Sequence, residues 1–104
     1  MMDKGQLENI ATEVVNRIIQ KYPQLDVQID FIPSPNRSHT YHRQIRVGVL
    51  GKDEYMTYQL HDLYAPPRTL EAVIAIEIEA LTQLYVHQFI EGVRAKLKRT
   101  AIKA

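Results

Sequence analysis

Residues 22–32, YPQLDVQIDFI, decide the fold, because the hydrophobic period changes within them. Upstream, Leu7, Ile10, Ala11, Val14, Ile18 and Tyr22 recur every three or four residues, while Glu8, Glu13, Arg17 and Lys21 fall off that face. This is the pattern of an amphipathic helix with one side toward a core. Asp3 followed by Gln6 reads as a capping pair, and Pro23 stops the helix because the residue before a proline disfavours helical geometry. From Leu25 onward the period is two. Leu25, Val27, Ile29 and Phe31 alternate with Asp26, Gln28 and Asp30, as a strand with one wet face requires.

The same period continues downstream. QIRVGVL (residues 44–50) places Ile45, Val47 and Val49 on one face and Gln44, Arg46 and Gly48 on the other. GKDE (51–54) supplies a hairpin connection, and YMTYQL (55–60) turns Met56, Tyr58 and Leu60 inward. HDLYAPPR (61–68) breaks the pattern, Thr69 suits a helix cap, and a last helix begins at Leu70. The order α-β-β-β-α, with every strand half polar, predicts a two-layer α+β domain. Its three-stranded antiparallel sheet carries both helices on one face. At 104 residues the chain makes one such domain, with a basic tail over 94–104 that need not be ordered.

From Leu70 to Leu97 the last helix would span about 28 residues, or ~42 Å, against ~20 Å for a six-residue strand. Roughly half of it should overhang the sheet. Leu70, Ile74, Ile78, Leu81 and Tyr85 form the stripe suited to the sheet. Val73, Ile76, Ala80 and Leu84 lie about 100° around and are expected beneath the first helix. Farther on the apolar face moves to Val86, Phe89, Ile90, Val93 and Leu97. Left open, that stripe is a patch that soluble monomers rarely tolerate. Either the helix breaks near His87–Gly92 and folds back, or the stripe pairs with another chain. Pairing with the same stripe of a twofold mate is preferred, which makes Phe89, Ile90, Val93 and Leu97 the expected oligomer contacts.

Hydrophobic residues make up 45% of the chain and charged residues 24%, as in ordinary soluble globular proteins. The absence of cysteine excludes a disulfide framework and a thiolate zinc site, and fits a reducing compartment. The N-terminus lacks the apolar core of a signal peptide. The longest apolar run, AVIAIEIEALTQLYV (72–86), is interrupted by Glu77 and Glu79 and is no membrane span. A soluble cytoplasmic protein is expected.

The net charge of +1 conceals an acidic body with two basic segments. NRSHTYHRQIR (36–46) holds Arg37, His39, His42, Arg43 and Arg46 with no acid, and the tail holds Arg94, Lys96, Lys98, Arg99 and Lys103. The 37–46 segment reads as the solvated loop of a hairpin, or as a loop that contacts phosphates. His39 and His42 alone are too few for zinc, three arginines beside them repel a cation, and no spacing ties His61, Asp62 or His87 to them. No metal ligand set is read, and no cofactor motif. No catalytic residue is assigned either: the four glycines are scattered, and there is neither a nucleophile elbow nor a carboxylate cluster. Asp26 and Asp30 are expected to pair across the strands with Arg46.

The α-β-β-β-α order over residues 5–90 resembles that of double-stranded-RNA-binding domains. That resemblance implies a first inter-strand loop that enters a minor groove, with Arg37, His39, His42 and Arg43 at the matching positions. The lysine cluster of that family at the start of its final helix is replaced here by PPRTLEAV (66–73), with Arg68 its only base. The likeness is therefore one of topology.

Three functional readings follow. The first is a small non-enzymatic accessory module that associates with itself or another protein through the long last helix. The alternative is a nucleic-acid-binding protein using Arg37, His39, His42, Arg43 and Arg46 with Lys96 and Arg99 of the tail. The third is a small enzyme with a dispersed site around His61, Asp62 and Tyr64.

Overall fold

The computed structural model describes the backbone of residues 3–103 and the side chains of residues 3–97. The elements are α1 (Lys4–Lys21), β1 (Leu25–Pro33), β2 (Thr40–Val49), β3 (Tyr55–Tyr64) and α2 (Glu71–Lys103). The strands form one antiparallel sheet in the order β1-β2-β3. α1 lies over β1 and α2 over β2, so the architecture is α+β with both helices on one face. No described helix is long and apolar enough to cross a membrane.

α1 opens on the expected capping box. The Asp3 carboxylate accepts from the Gln6 backbone N–H at 2.9 Å, and the Gln6 side chain accepts from the Asp3 N–H at 3.0 Å. Leu7, Ile10, Ala11, Val14 and Ile18 form its buried face. The sheet contributes Leu25, Val27, Phe31, Ile45, Val47, Leu60 and Leu63 to the same core. Facing pairs in the register, Val27 with Val47 and Ile45 with Tyr58, keep that face continuous across the strands.

β2 starts at Thr40, four residues before the expected strand, so most of the basic segment is strand rather than loop. The turn is confined to the residues before it. His39 takes a left-handed φ of 55°, a conformation histidine tolerates better than most residues, and its carbonyl accepts the Ala65 N–H at 2.8 Å.

α2 sets Ile74 and Ile78 into the core and stacks Tyr85 on Tyr58 with ring centroids 4.8 Å apart. Leu70, expected to lead that stripe, stands 70% exposed just before the helix. The side of α2 toward α1 carries Glu71, Glu79 and Val86, one flank of the sheet-facing stripe. Arg17 donates to both Glu79 carboxylate oxygens at 3.2 and 3.1 Å, and Ile18 and Tyr22 line a groove with Ala80, Leu84, Val86 and His87. Thr82 is buried on the same helix, its hydroxyl donating to the Ile78 carbonyl at 2.6 Å. The expectation that α1 covers Val73, Ile76, Ala80 and Leu84 holds only in part: Ala80 and Leu84 line the groove beside α1, while Val73 and Ile76 stand exposed. Val73, Ile76 and Leu84 are nonetheless large and exposed, so α1 leaves most of this row to solvent.

The helix is also unbroken through His87–Gly92 and continues to Lys103, so the tail neither folds back nor departs from helix. Val86 and Phe89 belong to the chain's own core, and Ile90 and Val93 are half-buried against it. Of the four expected oligomer contacts only Leu97 is fully exposed. The reason is strand length. β2 and β3 have ten residues each, not six, so the sheet reaches further beneath α2 than the sequence pattern implied. The overhang persists beyond Val93 and gives the molecule its 56 Å long dimension.

Candidate functional site

Two surfaces carry the chemistry: the open face of the sheet and the exposed apolar row of α2. Both helices sit on one side, leaving Asp26, Gln28 and Asp30 of β1, His42, Gln44 and Arg46 of β2, and Tyr55, Thr57 and Gln59 of β3 on the other.

A β-bulge organises one end of this sheet. Tyr41 faces Leu63 while Arg43 faces Leu60, so His61 and Asp62 together oppose His42. On the helix side of the sheet, the His61 carbonyl accepts from Arg43 Nε at 3.0 Å and from Nη2 at 2.8 Å. Nη2 also meets Glu77 of α2 at 3.0 Å. Arg43 is only 1% exposed, a buried cation that ties strand, bulge and helix together. On the open side, the Asp62 carboxylate lies 3.1 Å from His42 Nδ1, and the Gln59 amide oxygen lies 2.7 Å from Nε2. Arg37 approaches the other Asp62 oxygen at 3.8 Å.

Both neighbours of the His42 ring are acceptors, so it is fully satisfied only when both nitrogens carry protons. The hydrogen bond to Asp62 is the main cause that raises its pKa above the ordinary imidazole value, with the bond to Gln59 second. A group whose folded pKa is raised adds stability that is complete below the unfolded value of about 6.5. That stability is lost as pH rises through the folded pKa. The His42 ring proton, followed by NMR, is therefore expected to titrate above the free imidazole value and to move back toward it in Asp62→Asn. An unchanged midpoint in that variant would contradict the pairing.

Gly48 opposite Tyr55 completes this face. A Cβ on Gly48 would stand 2.9 Å from the Glu54 carbonyl oxygen and 3.0 Å from the Tyr55 Cβ, so the position needs glycine. Arg46 stacks on the Tyr55 ring, 3.6 Å from its centroid, in place of the expected pairing with Asp26 or Asp30.

The five basic-segment residues are therefore dispersed. Arg37 and His39 are exposed at the turn, His42 is bound by Asp62 and Gln59, Arg43 is buried on the helix side, and Arg46 is stacked on an aromatic ring. Asp26, Asp30 and Asp62 lie among the exposed ones. Lys96 sits on the far part of α2, and the Arg99 side chain lies outside the described residues. No three His, Asp or Glu side chains group as a metal site among the described residues.

The second surface is the row that α1 was expected to cover and covers only at Ala80 and Leu84. Along α2, Val73, Ile76 and Leu84 are 55%, 69% and 49% exposed, with Ala80 between them and Leu70 just before. They recur at helical spacing and so form one row about 21 Å long from Leu70 to Leu84. Met56 and half-buried Tyr58 of β3 lie on the helix-bearing face of the sheet.

No family model matches this chain, and comparison with curated proteins and with solved structures likewise finds no match.

Proposed function

We propose that the protein is a non-enzymatic association module that pairs with a second copy of itself through the exposed apolar row of α2. The observation that carries this reading is the row Leu70, Val73, Ile76 and Leu84. Single exposed apolar residues are commonplace, but a continuous row on a rigid helix is the form of an interaction surface. Polar Gln83 and His87 lie beside it, as at the rim of an interface. A like copy is the economical partner because the row brings no uncompensated charge to a twofold contact. Glu77, the acid closest to it around the helix, is already engaged by Arg43.

Phosphate binding by the basic segment fits the geometry less well, since its cations fall on both faces of the sheet and share the open face with three aspartates.

The test is substitution within the row in the full chain. Ile76→Asp and Leu84→Asp should each weaken dimerisation by at least about tenfold, read by light scattering over a concentration series. Both should melt close to the parent, because both sites are solvent-facing in the subunit. Variants that dimerise as the parent does would overturn this placement of the surface.

A further inference from the structure

We infer that the second copy is joined edge to edge through β3, antiparallel and centred on Thr57, so that one six-stranded sheet runs through the dimer. This rests on the self-association reading above and specifies its geometry.

With strand order β1-β2-β3, β1 and β3 are both edges, each with a row of backbone N–H and C=O groups that no neighbouring strand pairs. The two edges differ in chemistry. β1 carries Asp26, Asp30 and Pro33, which are devices that discourage strand addition. The first six residues of β3, YMTYQL, contain no charge and no proline, and all but Thr57, Gln59 and Leu60 are aromatic or thioether side chains. Such a segment left open is an invitation to pair. The bulge at His61 and Asp62 confines that invitation to residues 55–60.

Position adds a second reason. α1 lies over β1 and α2 over β2, so the flank of α2 turned away from α1 and the free edge of β3 bound the same side of the molecule. Met56 is 52% exposed on the helix-bearing face. Joining two β3 edges places β2 and its mate three strand spacings apart, or ~14 Å. The two α2 flanks then face each other above a floor of Met56 and Tyr58 from both copies.

The residues around β3 select one register. A twofold axis at Thr57 sets Met56 against the mate's Tyr58 on the helix side, and Tyr55 against its Gln59 on the open side. Beyond the paired stretch it carries Lys52 of the turn toward the mate's Asp62, opposite in sign. Moving the axis by one residue to Tyr58 would oppose Glu54 to Asp62, a like-charge contact. The charges therefore favour Thr57.

The chain has no cysteine, so single cysteines report this register directly. Thr57→Cys would face itself across the axis, at the ~5 Å Cβ separation of directly opposed residues, close to disulfide geometry. Gln59→Cys would stand four residues out of step with itself, ~13 Å away. Under mild oxidation of the full chain, Thr57→Cys should crosslink at least about tenfold faster than Gln59→Cys. If the parent dimerises but Thr57→Cys crosslinks no faster than Gln59→Cys, the β3 pairing is wrong while the α2 surface stands. If the parent is monomeric throughout, both are wrong.

Discussion

Phe89→Asp should unfold the subunit rather than separate two folded ones. The side chain is 8% exposed within a cluster that includes Ile18, Leu25, Val47 and Val86. Replacing it removes a large apolar group and strands a carboxylate in the core. The cost is about 5 kcal/mol, comparable to the whole stability of a small domain. Thermal melts followed by circular dichroism should show the transition lost, or lowered by at least about 20 °C. Leu97→Asp, on the exposed end of the same apolar stripe, should change stability by no more than about 0.5 kcal/mol. A Phe89→Asp protein that melts like the parent and is merely monomeric would return this residue to an interface and remove it from the core.

Arg43→Ala should be the most destabilising change in the basic segment, at about 3 kcal/mol. Two losses add. The buried aliphatic stem leaves a gap between β2 and α2, and the His61 carbonyl in the bulge loses the guanidinium that accounts for two of its contacts. Arg43→Met keeps most of the stem and should recover part of the loss. Glu77→Gln should cost less than about 1 kcal/mol, because the Glu77 side chain is 43% exposed and water replaces its partner. Urea unfolding of the three variants separates these contributions. If Arg43→Ala is as stable as the parent, the buried guanidinium does not hold the bulge. A surface phosphate-binding arginine would behave in that way, losing ligand affinity and little stability.

Much of the fold was legible because local pattern and tertiary packing agree. Asp3 with Gln6 forms the expected cap, Pro23 ends α1 where it should, and Leu25, Val27 and Phe31 alternate into the core as written. The failures share a cause, which is that they depend on residues far along the chain. An arginine among histidines reads as solvated. Arg43 is buried because a bulge formed 18 residues downstream turns a carbonyl toward it, and no periodicity around position 43 carries that information. On α2, two rows flank the sheet-facing stripe, and α1 meets the apolar one only at Ala80 and Leu84. The pairing of Arg17 with Glu79 sets α1 toward the other flank and leaves Val73 and Ile76 to solvent. The residues now assigned to the site were therefore visible as a stripe, but what covers them was not.

The central claim is self-association, and sedimentation equilibrium of the unmodified chain addresses it most directly. Over about a thousandfold dilution from high micromolar concentration, the fitted mass should fall from twice the chain mass of 12.1 kDa to that mass itself, as a reversible dimer requires. A mass that stays at one chain at every concentration would contradict the account.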